Sequence, residues 1–167
     1  MELSNKNIPV NPFINAGAIV STALLQEKYG NNTFDFILNR TRDLINNDKL
    51  DYSRSIYHSE SSCAYANRAL TYMLLNDNII PPHIDVDDLL NTYFKACSIL
   101  VDSVDLANLS FILSRDGKNL AGEEILSPKH AKILRTIMAT CGTYDYSGDF
   151  AIRVGIPAKS GVGGGIV

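Results

Sequence analysis

Apolar residues along this chain recur mostly at three- and four-residue spacing, which gathers side chains onto one face of a helix. From Asn15 the run Ala16, Ala18, Ile19, Leu24 and Leu25 predicts a first helix, closed by Gly30. Thr33 is placed to cap a second, carrying Phe34, Ile37, Leu38, Leu44 and Ile45 up to the polar loop Asn46-Asn47-Asp48. A third helix is expected through Ala64, Ala69, Leu70, Met73 and Leu74 to about Leu75, and Pro81-Pro82 forbids its continuation. Asp85 heads a fourth with Val86, Leu89, Leu90, Tyr93, Phe94 and Cys97, where Asp87 and Asp88 oppose the positive end of the helix dipole. Ser103 to Leu113 makes a fifth, ended by Asp116-Gly117, and Ser127-Pro128 opens a sixth that Gly142 stops. After that the pattern changes. The segment 151–157 is short and β-branched, and Lys159-Ser160-Gly161-Val162-Gly163-Gly164-Gly165-Ile166-Val167 reads as a strand behind a glycine-rich bend. Such an apolar end strand needs a partner, from another chain or from a longer version of this one.

A chain of 167 residues with 46% hydrophobic and 20% charged side chains has the size and composition of one globular domain, which excludes disorder. Its net charge of -3, without a basic cluster, argues against a nucleic-acid partner. No apolar run approaches the roughly 20 residues that span a bilayer, and the opening Met-Glu-Leu-Ser lacks a signal peptide's apolar core. A soluble, cytoplasmic protein without membrane partners is therefore expected. Cys63, Cys97 and Cys141 are too far apart for a zinc or disulfide pattern and are expected as buried apolar fillers. His58, His83 and His130 show no metal-ligand spacing, so no metal is expected.

Four places invite chemistry. Glu60 and Asn67 are seven residues apart, nearly two helical turns, so on one continuous helix they would share a face over the small Cys63 and Ala64. A carboxylate and a carboxamide so placed would hold an ammonium and a carboxylate. A plainer account makes Ser59 a cap, Glu60 a dipole partner and Asn67 a surface residue. Lys159-Ser160-Gly161 is similar to the K-T-G signature of serine acyl-transfer enzymes, with a flexible bend as the alternative. A phosphate loop is excluded, because here the lysine precedes the glycines. Asn11-Pro12-Phe13-Ile14-Asn15-Ala16-Gly17-Ala18 puts two amides at an apolar helix start, as buried amides that must find partners or as a cap at Asn15. Tyr144-Asp145-Tyr146-Ser147-Gly148 is either a plain turn or a mount for a phenol that shuttles protons.

Together with Tyr93-Phe94, Cys97-Ser98, Cys141-Gly142-Thr143 and Gly155-Ile156-Pro157-Ala158, these blocks resemble, in order, the serine-dependent glutaminases. Those enzymes share the fold of serine β-lactamases and penicillin-binding proteins. The resemblance implies a mainly α chain: the helical domain of a β-lactamase-like fold, with short β segments at the C-terminus. It implies one partial domain over 1–167, helical through 1–142, with 143–167 starting the sheet. It implies hydrolysis of L-glutamine to L-glutamate and ammonia through a serine acyl-enzyme, without cofactor or metal. Asn15, Glu60, Asn67 and Tyr93 would bind the substrate's α-ammonium and α-carboxylate, with a buried Glu60 rejecting substrates that lack the positive charge. Tyr144 would bind beside the reacting amide and relay protons. Val162 would donate its backbone N–H to the oxyanion, and Lys159 would contribute electrostatics.

The sequence departs from the family in two ways. No serine stands three positions before any lysine, so the S-x-x-K nucleophile and base are missing, and Ala64 and Ala66 replace the usual Gly and Arg. The expectation is therefore the helical part of a longer glutaminase, inactive by itself, with a homo-oligomer paired through the end strand. The alternative is a non-catalytic glutamine-binding or assembly module derived from a glutaminase.

Overall fold

The computed structural model describes residues 3–167. Eight α-helices dominate these residues: α1 (Asn15–Tyr29), α2 (Thr33–Ile45), α3 (Arg54–Ser62), α4 (Tyr65–Asn76), α5 (Val86–Cys97), α6 (Ser103–Ser114), α7 (Pro128–Cys141) and α8 (Ser147–Arg153). The chain forms two compact units. One takes the chain up to Arg40 with Leu50–Leu100, and the other takes Thr41–Lys49 with Val101–Val167.

The first unit is built around α1. Ala16, Ile19 and Ala23 have no exposed surface and meet Leu74 of α4, Ile80, and Leu89, Leu90 and Phe94 of α5. Each large side chain buried there contributes about 1.5–3 kcal/mol. Close approach at the start of α1 requires Gly17, because a Cβ at that position would lie 2.0 Å from the Asn11 carbonyl oxygen. Asn11 makes that crossing stable by accepting the Phe13 N–H at 2.9 Å. Helix α5 starts as its sequence predicts, with the Asp85 carboxylate accepting the Asp88 N–H at 2.9 Å.

The second unit packs α6 against α7 and α7 against α8, burying Ile112, Leu113, Ala131 and Met138. A capping box starts α6: Asp102 accepts from Val104 and Asp105, and Asp105 accepts the Asp102 N–H at 3.1 Å. The buried Asp105 also accepts Asn47 Nδ2 at 3.0 Å, tying the loop after α2 to α6. Ser127 caps α7 ahead of Pro128.

The structure corrects four expectations. The expected helix through Glu60 and Asn67 is two helices, α3 and α4, separated at Cys63 and Ala64, whose ψ angles of 28° and 26° leave the helical basin. At that break Ser61 and Ser62 turn their hydroxyls onto the carbonyls of His58 and Ser59, side-chain bonds that weaken helix continuation. The cap of α3 is Ser53, and Ser59 is an interior residue. The β-branched reading of 151–157 fails because Ser147 and Asp149 start a helix, α8, which runs to Arg153 before Gly155 and Pro157 stop it. Finally, 159–167 is not a single extended strand. It folds back on itself, with Lys159 and Val167 exchanging N–H···O bonds of 2.7 and 3.0 Å and Ser160 bridging Ile166.

Candidate functional site

In the first unit, Asn15 lies in the opening turn of α1, and its Nδ2 donates to Asn67 Oδ1 on α4 at 3.1 Å. Asn15 is a helical residue and not a cap, since Ile14 occupies that position. It is also exposed, not the buried amide expected of it. The Asn67 main chain is held in turn, its carbonyl accepting the buried Thr71 hydroxyl at 2.7 Å.

Tyr93 and Cys97 are four residues apart on α5, and one face of the helix therefore carries both. Tyr93 is 93% buried and hydrogen-bonds the Cys97 thiol, while the Glu60 carboxylate on α3 lies close enough to act on that thiol through its charge. Protein crowded around the sulfur pushes the Cys97 pKa above its ordinary value, Tyr93 pulls it part of the way back, and Glu60 adds to the rise. Cys97 as a residue keeps an exposed surface, so the desolvation is partial rather than an enclosure. The cysteines are thus not the buried fillers expected: Cys63 is exposed at the α3–α4 break, Cys97 is exposed at the end of α5, and Cys141 is half-buried. Glu60 is exposed rather than buried, because α3 is a short helix none of whose residues is buried. Sequence reasoning missed Cys97 as the group linking Glu60 to Tyr93; its signal was the i, i+4 spacing to Tyr93.

In the second unit, Tyr144 has φ 55°, a left-handed conformation costly for a residue with a full side chain. Its hydroxyl accepts from Lys159 Nζ at 3.2 Å, and the same ammonium lies 4.4 Å from the ring centroid. Lys159 Nζ also donates to the Ser160 carbonyl. Val162 sits at the tip of the hairpin, fully exposed, in a turn closed by Gly164 N–H onto the Gly161 carbonyl at 3.0 Å. This turn leaves the Val162 N–H outside the hairpin's hydrogen bonding.

Asn15 and Asn67 thus form one pair, and the Cys97 thiol feels both the Tyr93 hydrogen bond and the Glu60 charge, all within the first unit. Tyr144 and Lys159 form a pair in the second unit, which also carries Val162. Among the described residues, no group of three or more His, Cys, Asp or Glu side chains is placed to hold a metal ion. No described helix is long and apolar enough to cross a membrane.

This helix-rich architecture is that of the helical portion of a serine β-lactamase-like fold. A family model described as glutaminase matches residues 1–167. The chain belongs to the glutaminase family. It is 46% identical over 159 residues to a glutaminase of Natranaerobius thermophilus, covering 95% of this chain and 51% of that protein. To a glutaminase of Clostridium botulinum strain Loch Maree it is 43% identical over 168 residues, covering 100% and 54%. It superposes with a TM-score of 0.88 on a probable glutaminase from Bacillus subtilis complexed with 6-diazo-5-oxo-L-norleucine, at 34% identity over 97% of this chain and 52% of that one. The chain spans about half the length of the curated relatives it matches.

Proposed function

We propose that this chain forms part of a single glutaminase domain and supplies the groups that grip L-glutamine for hydrolysis to L-glutamate and ammonia. Glu60 pairs with the α-ammonium, while Asn15, Asn67 and Tyr93 direct amide and hydroxyl donors at the α-carboxylate. Tyr144 relays protons at the side-chain amide, Lys159 sets the local charge, and the Val162 N–H steadies the oxyanion. The observation that carries this reading is the Asn15–Asn67 hydrogen bond of 3.1 Å, which joins two family blocks that are 52 residues apart. The glutamine-like analogue named with the Bacillus subtilis relative supports the substrate class.

Since no serine precedes a lysine by three positions, the nucleophile and its base come from outside this sequence, and the chain alone does not turn glutamine over. It works in the cytoplasm without a cofactor. Self-association belongs to the same reading, and a sedimentation profile that stays monomeric at high concentration removes it.

Calorimetry with L-glutamine tests the grip. Binding is expected, with Glu60→Gln weakening it roughly 10- to 150-fold, the loss of one charge-assisted pair worth roughly 1.5–3 kcal/mol. No heat of binding by the unaltered chain overturns the reading. The competing account, a non-catalytic glutamine-binding or assembly module, also draws on the missing S-x-x-K. It gains if binding is tight yet no turnover appears after a segment carrying that motif is supplied.

A further inference from the structure

We propose that the Thr143 and Ser147 hydroxyls are a positioning device that holds the Tyr144 phenol against Lys159. The inference rests on the reading of Tyr144 as proton relay and deepens it by assigning what keeps the relay aimed.

A tyrosine at φ 55° stays there only where its surroundings over-determine it. Ser147 does this with every hydrogen-bonding capacity of one hydroxyl. Its single proton goes to the Tyr144 carbonyl at 2.8 Å, and its oxygen receives the Thr143 N–H at 3.1 Å and the Thr143 hydroxyl at 3.2 Å. The Ser147 N–H also ends on the Tyr144 carbonyl. Thr143 and Ser147 are 8% and 7% exposed, so water offers little competition for these bonds.

The partner lysine is anchored to the same turn. Gly142 admits no side chain, because a Cβ there would lie 1.8 Å from the Ala158 carbonyl oxygen. Its own carbonyl accepts the Ser160 N–H at 3.1 Å. Both neighbours of Lys159 are thereby fixed to the turn that strains Tyr144, and the ammonium meets the phenol at 3.2 Å. Thr143 and Ser147 act through Tyr144 and are positioning residues.

Solution NMR on the chain tests this with Ser147→Ala and Ser147→Thr. Tyr144 backbone shifts and couplings report the left-handed φ, and cross-relaxation between the Lys159 ε-methylene and the Tyr144 ring reports the pair. The alanine variant is expected to lose both signatures and the threonine variant to keep them. An alanine variant that retains both, or a threonine variant that fails as the alanine one does, overturns the proposal. If Ser147→Ala does not fold, Thr143→Val takes its place: it removes one hydroxyl and is expected to weaken the Lys159–Tyr144 cross-peak, and an unchanged cross-peak again overturns the proposal. Adding L-glutamine to the unaltered chain separates the two ideas. Unmoved Tyr144 ring resonances at saturation sink the relay reading, whatever the Ser147 variants show.

Discussion

Tyr144 carries an aromatic ring on a backbone that most side chains avoid, at a cost of about 1–3 kcal/mol. The residue is 46% exposed, so removing its side chain forfeits only part of the packing a core tyrosine would lose. Tyr144→Gly is therefore expected to raise the free energy of unfolding by about 1 kcal/mol, read as a higher urea midpoint. A midpoint that falls would mean the ring's contact with Lys159 outweighs the strain. Cys97 offers a second test at this scale. Alkylation needs the thiolate, and burial with the Glu60 charge holds the Cys97 pKa high, so iodoacetamide labelling is expected to turn on at higher pH than for an ordinary cysteine. Glu60→Gln removes a contribution that raises the pKa. The pKa should fall and labelling at a fixed, mildly alkaline pH should accelerate; an unchanged rate measured by peptide mass spectrometry would place Glu60 away from the thiol.

Helix boundaries show where local chemistry suffices to set an element. Asp85, Ser127 and the stop after Ser114 were legible because a cap acts on backbone within three residues of itself. Asp102→Ala removes the half of the α6 capping box that accepts the Val104 and Asp105 N–H groups, leaves the Asp105 carboxylate on the backbone N–H of residue 102, and is expected to cost about 1–2 kcal/mol in chemical denaturation. Gly17→Ala drives a methyl into the Asn11 carbonyl and is expected to cost at least as much, roughly 1–3 kcal/mol. The break between α3 and α4 was not legible, since neither Cys63 nor Ala64 is a helix breaker and only their backbone angles reveal the stop. The hairpin within 159–167 was not legible for a related reason. Alternation in a short segment announces an extended backbone but does not name its partner, and here Gly161–Gly164 provides the turn that makes the segment its own partner.

Across the whole molecule, the candidate residues were legible as a set because each sits in a block with unusual chemistry, an amide at an apolar helix start or a lysine before glycines. Their environments were not, because burial depends on neighbours distant in sequence: Glu60 and Asn15 are exposed where enclosure was expected, and Tyr93 is covered by the first unit's core. If the proposed grip is correct, glutamine stabilises the folded state by mass action, by about 2.7 kcal/mol at a hundredfold excess over Kd. Thermal unfolding followed with and without glutamine should show that rise in the unaltered chain and a smaller one in Glu60→Gln. The break at Cys63 and Ala64 has a further effect on such a site. Two ligands on one rigid rod would have their separation dictated by helical pitch, whereas Glu60 and Asn67 stand on separate rods joined by a two-residue hinge. Altering the length of that hinge is therefore a way to retune the spacing of the charges a small molecule must present, leaving both contacting side chains untouched.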